Sequence, residues 1–325
     1  MGNYRYNGED MLRKSICIAG LVIFSLTVLA CERDQVSQWQ RLQAQASDLA
    51  ESGNYAEATE FAEEAVVVAE EIFGPGHPSL AASLTNLALI LSNQGRLARA
   101  EELYLRAFSI AESNFEPGHA FVSTTRNNLA RFYKGQARYQ AAQPLYEKAL
   151  SGAEDFFSAD YPDILPDLYN LAEVLLLKGE FGSAEDLLNR AFDLQENVAG
   201  PGHPDSAVTL NKLGELYRTA GMYDDAEYIH LQALDVVETR LGPGDTAVVE
   251  SLFGLGQLRR NQQRYGEAED YYLRAQRILE SAYPADDPMM VPFLEQMAAL
   301  LLEMGREEEA GILINRAIRL SNPDR

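Results

Sequence analysis

Residues 74–115 read "GPGHPSLAASLTNLALILSNQGRLARAEELYLRAFSIAESNF". Within this stretch Leu80, Leu84, Leu87, Ala88 and Leu91 recur at helical spacing, Gly95 interrupts the pattern, and Ala100, Leu103, Tyr104, Ala107 and Ile110 resume it. Two helices joined by a tight turn are therefore predicted. Small residues at Ala88, Ala100 and Ala107 let the two backbones approach closely, and Tyr104 fills the gap between them.

The stretch repeats. Its loop starts at Gly74, and the matching starts are Glu116, Ser158, Gly200, Gly242 and Pro284, each 42 residues on. The same step links Ala58, Ala100, Ala142, Ala184, Ala226, Ala268 and Ala310. It also links Ala65, Ala107, Ala149, Ala191, Ala233, Ala275 and Ala317. A third position holds Gly53, Gly95, Gly179, Gly221 and Gly305, with Ala137 and Gln263 in two repeats. Such a period marks an array of helix pairs, each of which buries its apolar face only against its neighbours. Six repeats run from about Ser37 to Pro288, and a shorter seventh ends at Arg325.

The order Leu-Ala/Gly, then Tyr/Leu, Gly, Ala, Tyr/Phe and Ala resembles the tetratricopeptide repeat. The 42-residue period, "NLALILSNQGRLARAEELYLRAFSIAE" (86–112) and the closing "GPGHP" resemble the longer kinesin light chain version of it. The resemblance covers nearly all of residues 32–325 and implies an all-α, right-handed superhelical solenoid of about seven helix pairs. It further implies that the first helix of each pair lines a concave groove. That architecture serves many partners, so it specifies fold far more narrowly than function.

Residues 1–31 stand apart. Arg13 and Lys14 precede an apolar run from Ile16 to Ala30, which ends at Cys31 and gives way to polar chain. The run has the length of a secretory h-region and falls short of the roughly 20 apolar residues of a membrane-spanning helix. "VLAC" (28–31) resembles a bacterial lipobox, although Leu29 is larger than the usual residue there. The expectation is a signal peptide whose removal leaves Cys31 as a lipid-bearing N-terminus, because only a thiol can form the thioether to diacylglycerol. An uncleaved anchor helix with an incidental cysteine is the alternative. Tyr6 stands where the myristoylation pattern requires Ser or Thr, and Glu9-Asp10 is out of place in an n-region, which makes Met11 a candidate start.

Lys+Arg 27 against Asp+Glu 49 gives a net charge of -22, a field that repels nucleic acid and anionic lipid. Cys17 and Cys31 are the whole cysteine supply, with no metal-ligand spacing around them. The aligned loop position holds His77, His119, Tyr161, His203, Asp245 and Asp287. Side chains one repeat apart along an edge cannot converge on a metal, so a structural reading is preferred. Gly74 and Gly200 can close a helix in the left-handed conformation. Asp245 and Asp287 suit N-caps, and Pro78, Pro204 and Pro288 suit first turns. His230, at the position of Tyr104 and Tyr146, is expected to be packed or at a rim.

"GPG" lacks the Lys-Ser/Thr of a nucleotide loop, and acidic runs such as Glu63-Glu64, Glu70-Glu71 and Glu307-Glu308-Glu309 fall on helix faces expected to meet solvent. No nucleophile–base pair, metal set or cofactor motif stands out, so the expectation is a protein without enzymatic activity or cofactor.

A second stripe on each first helix carries the variable chemistry. It reads Ala82, Asn86, Leu89, Asn93, then Thr124, Asn128, Arg131, Gly135, then Pro166, Asn170, Glu173, Leu177. It continues as Val208, Lys212, Glu215, Thr219 and Glu250, Gly254, Gln257, Asn261. This stripe changes along the array while the packed one does not, as a ligand-facing surface would. The family resemblance implies that Asn86, Asn128 and Asn170 hydrogen-bond the backbone of a bound peptide; a ladder satisfying neighbouring helices is the alternative. Arg131, Lys134, Lys212, Arg218 and Arg260 lie on or beside the stripe and would favour an acidic or carboxylate-bearing segment; scattered, solvated cations are the alternative. The fifth and sixth repeats lack the asparagine, which centres the expected site on Asn128 and Asn170.

The last helix offers Ile312, Leu313, Ile314, Ile318 and Leu320, enough apolar surface either to cap the stack or to dock a partner or second copy. The combined expectation is a lipid-anchored scaffold of the bacterial envelope, at the outer membrane facing the periplasm, that binds a peptide or protein segment. An assembly factor for a pilus or secretion machine, gripping a folded subunit, is a second reading, and an envelope enzyme is a third, disfavoured one.

Overall fold

A computed structural model describes residues 34–157 and 164–321. Cys17, Cys31, the apolar run before it, Ser158 and Tyr161 lie outside the described residues. All regular structure among the described residues is helical, and the chain divides into two compact units, up to Asn114 and from Phe115.

The first unit holds α1 (34–51), α2 (Tyr55–Phe73), α3 (Pro78–Asn93) and α4 (Leu97–Asn114). The residues that define the sequence pattern are its core: Leu80, Leu84, Leu91, Ala100 and Ala107 are all buried, with Tyr104 wedged among them. Trp39 Nε1 donates to Ser83 Oγ at 2.8 Å, which ties α1 to α3.

The second unit holds α5 (Ala120–Gly135), α6 (Tyr139–Phe157), α7 (Leu165–Lys178), α8 (Phe181–Ala199) and α9 (Ser206–Thr219). It continues through α10 (Tyr223–Leu241), α11 (Val248–Asn261), α12 (Tyr265–Ala282), a 3-10 turn (Pro288–Met290), α13 (Val291–Glu303) and α14 (Glu307–Ser321). Both alanine series are buried throughout, because a larger side chain at either position would hold paired helices apart. Successive first helices of this unit also touch: Asn127 Nδ2 donates to Asp167 Oδ1 at 2.8 Å, and the Tyr169 hydroxyl shares a 2.6 Å hydrogen bond with Thr209 Oγ1.

The turn inside each pair closes on one left-handed residue. Gly95 has φ 76° and Gly179 φ 79°, and Ala137 (55°) and Gln263 (59°) hold the same conformation despite their Cβ atoms. Left-handed backbone costs a non-glycine residue roughly 1–2 kcal/mol, part of which glycine returns through its freer unfolded chain. Ala137→Gly and Gln263→Gly are therefore each expected to raise stability by about 0.5–1 kcal/mol in urea denaturation. An unchanged or lower midpoint would contradict this.

The inter-repeat loops differ in one respect from the sequence expectation. Gly74 and Gly200 have positive φ but ψ of 167° and 160°, an extended mirror-image conformation rather than the left-handed helical one. The aligned histidines take part in the punctuation directly. His77 Nδ1 accepts from Ser79 N and His119 Nδ1 from Phe121 N, both at 3.1 Å, in the way Asp287 Oδ1 accepts from Met289 N at 2.8 Å. The His77 and His119 rings also stack on Phe73 and Phe115. Pro78 opens α3 as expected, whereas Pro204 stands two residues ahead of α9.

On α14, Leu313 and Leu320 turn toward the core while Ile312 and Ile318 are exposed. The helix thus caps the stack with one face and leaves Ile314 and Ile318, one turn apart, as a short apolar strip on another.

Candidate functional site

The variable stripe of the second unit converges on a cavity of about 470 Å³ between α7, α9 and α11. From that stripe α7 contributes Glu173 and Leu177, α9 contributes Lys212 and Glu215, and α11 contributes Glu250, Gly254 and Gln257. Leu188 of α8 and His230 of α10 join the lining, together with Tyr169, Ala172, Leu176, Asn211, Leu216 and Phe253. The lining therefore mixes aliphatic and aromatic side chains with charged and amide ones.

Its deepest polar group is His230, 2% exposed. The ring fits there because two helices omit side chains beside it. A Cβ at Gly214 would lie 2.6 Å from the ring, and one at Gly254 only 2.2 Å away. His230 Nδ1 faces Asn211 Oδ1 at 3.2 Å, an arrangement in which Nδ1 carries the proton and Nε2 is an acceptor. That Nε2 is buried without a partner among the described residues. Desolvation pushes the imidazole pKa down to about 4; Arg218 adds to the fall and Glu215 opposes it.

Glu250 stands at the cavity mouth. Its side chain is exposed, yet surrounding protein strips enough solvation to raise its pKa, against Lys212 and a hydrogen bond from Asn211. Lys212 projects over the Tyr169 ring, Nζ 5.2 Å from the centroid. Glu250, Asn211 and His230 thus form one polar chain ending in an acceptor. Among the described residues lining the cavity there is no Ser, Thr or Cys.

Other expected site residues do not line this cavity. Asn86, in the first unit, donates to Gln43 Oε1 at 3.2 Å, so it links α1 and α3 as a ladder would. Asn128 Oδ1 accepts from Arg131 at 3.3 Å. Asn170 is half-buried on α7, outside the lining. The cations are largely matched by carboxylates: Lys134 with Glu173 at 2.7 Å, Arg218 with Glu215 at 2.5 Å, and Arg260 with Glu303 at 3.1 Å. Only Lys212 of this set lines the cavity.

The asparagine series therefore breaks where the cavity opens. Its members in the second unit are Asn128, Asn170, Lys212, Gly254 and Gln296. Gly254 has lost its side chain because the His230 ring occupies that space. Two sequence signals pointed here, glycines inside predicted helices at 214 and 254 and a histidine at a tyrosine position. Neither shows alone that it answers the other.

A tetratricopeptide repeat family model matches residues 40–113, 81–155 and 164–239, and a second one residues 249–278. The chain belongs to the tetratricopeptide repeat family. Among solved structures, nearly identical TPR-like repeats assigned to a Podosopora anserina kinesin light chain superpose with a TM-score of 0.58 and 22% identity, covering 63% of this chain and 97% of that one. BtubC (BKLC) from P. vanneervenii superposes with a TM-score of 0.51 and 22% identity, covering 75% and 92%. These likenesses bear on the fold, which is the all-α tetratricopeptide array that the period implied. No curated protein matches the chain. As a tetratricopeptide protein it is an interaction scaffold, and the variable first-helix stripe is its candidate contact surface.

Proposed function

We propose that this tetratricopeptide protein is a lipid-anchored scaffold of the bacterial envelope that grips an extended protein segment along α5, α7, α9 and α11. The observation that carries the reading is the convergence of the variable stripe, from three successive first helices, on one amphiphilic cavity. Asn170 lies on α7 and Asn128 on the preceding first helix, α5, and an amide can both donate to and accept from a bound backbone. The proposed anchor is supported by Arg13-Lys14, the apolar run and "VLAC" ending at Cys31, and on this reading the array faces the periplasm from the outer membrane.

Binding rather than catalysis is favoured because tetratricopeptide arrays generally serve as interaction scaffolds. An acidic partner is not favoured, since Lys134, Arg218 and Arg260 already face carboxylates.

Two measurements test this. Labelled fatty acid should enter the wild-type protein and be lost completely in Cys31→Ala; equal labelling would remove the anchor. Peptides selected from a randomised display library should bind the purified protein at least about tenfold more weakly when Asn128 and Asn170 are both alanine, as loss of two backbone hydrogen bonds requires. Unchanged binding would rule out that surface.

A further inference from the structure

We propose that the α7–α9–α11 cavity is a specificity pocket for one basic side chain, lysine or arginine, of the bound segment. The inference deepens the segment-binding reading above and rests on it.

The pocket's acceptors outnumber its donors. Glu173, Glu215 and Glu250 line it against a single ammonium, Lys212. Glu173 and Glu215 are partly engaged by Lys134 and Arg218 from outside the lining, while Glu250 has no ion pair within 4 Å among the described residues. Lys212 directs its charge over the Tyr169 ring. His230, which also lines the pocket, has a buried acceptor in Nε2 with no partner among the described residues. A buried acceptor left unmade costs about 1–3 kcal/mol, which a ligand's N–H would recover. The missing group is thus a donor, and the nearby Glu250 carboxylate, which has no ion pair within 4 Å among the described residues, favours a charged one.

The shape agrees with the charge. Leu176, Leu188, Leu216 and Phe253 are among the lining residues, and a three- or four-carbon stem can lie against such side chains while its head reaches the acceptors. The protein's net charge of -22 draws a basic segment toward the surface and repels an acidic one. Gly254 matters twice, since it admits the imidazole and leaves out the asparagine that occupies this position in the third and fourth repeats.

The test uses the full chain, purified in mild detergent and labelled with ¹⁵N-histidine, at neutral pH. N-acetyl-lysine methylamide should shift the His230 Nε2 resonance saturably, whereas the norleucine and glutamate analogues should not. Display libraries with lysine fixed at one position should bind at least about tenfold more tightly than those with norleucine there, a ratio equal to one decade in Kd. Glu250→Gln, at the exposed mouth, should erase most of that ratio without unfolding the protein, and His230→Tyr should erase the rest.

If the lysine amide leaves Nε2 unmoved, the acceptor is satisfied by water and the proposal is overturned. It is also overturned if lysine and norleucine libraries bind equally and both depend on Asn128 and Asn170, but segment binding then stands. If no library binds while the lysine amide still shifts Nε2 and Glu250→Gln abolishes the shift, the pocket's chemistry is upheld and segment binding falls.

Discussion

Gly254→Ala is expected to destabilise the second unit by about 2 kcal/mol, in the range for overpacking a filled interior. The sign runs against helix propensity, which favours alanine by about 1 kcal/mol in a helix interior. A Cβ at 254 would lie 2.2 Å from the His230 ring, and the ring cannot retreat freely, since Gly214 is held against it from α9. The helix backbone or the imidazole must therefore shift, and the Asn211 contact is strained with it. Gly266→Ala provides the contrast: the residue sits on α12 with nothing within 4 Å of its missing Cβ, and substitution should stabilise by a few tenths to about 1 kcal/mol. Combining Gly254→Ala with His230→Ala should cost less than the sum of the single changes by at least about 1 kcal/mol. Additive costs in urea denaturation would mean that ring and glycine are not coupled.

The second large effect is on pH. His230 has its pKa pushed down to about 4 in the folded protein, against about 6.5 for a free imidazole. Above pH 6.5 the ring is neutral in both states, and its full contribution to stability is present. As pH falls from 6.5 toward 4 the unfolded chain takes up the proton first, so stability is lost through that window. The loss from this group levels off below pH 4 and totals about 3 kcal/mol. The charged groups facing the ring are Glu215 and Arg218 on α9, with Lys212 and Glu250 nearby; none shields a buried imidazolium well enough to cancel its desolvation. Carboxylates such as Glu227, lowered by Arg259, lose stability in the same direction, so the comparison must be with His230→Tyr. That variant keeps the residue type found at Tyr146 and Tyr272 and should show a shallower slope between pH 6.5 and 4. Parallel slopes would mean that the imidazole is not held neutral.

The fold was legible because its determinants are local and repeated. Alanine at two positions per repeat, a left-handed turn residue and a gap-filling tyrosine recur in sequence order, so each helix pair carries its own instructions. The second stripe was also legible, and seven of its residues line the cavity. The cavity's position along the stripe was not. The sequence put weight on what repeats, Asn86, Asn128 and Asn170, whereas the space opens where the repetition fails, at Lys212 and Gly254. That failure depends on one ring reaching from α10 across to α9 and α11, a relation between residues 16 and 24 positions apart that no period reveals. The capping role of His77 and His119 was hidden for a different reason, since Nδ1 imitates an aspartate oxygen only in one rotamer. The pairing of Lys134, Arg218 and Arg260 with carboxylates on the same or the next first helix likewise follows from helix register, not composition.

The most direct measurement of the central claim is hydrogen–deuterium exchange on the full chain, with and without a peptide selected from a randomised display library. Added protection in α7, α9 and α11, extending to α5 and leaving α6, α8 and α12 unchanged, is the expected result. Protection confined to the second helices of the pairs, or to the apolar strip of α14, would contradict the assignment of the first-helix face as the binding surface.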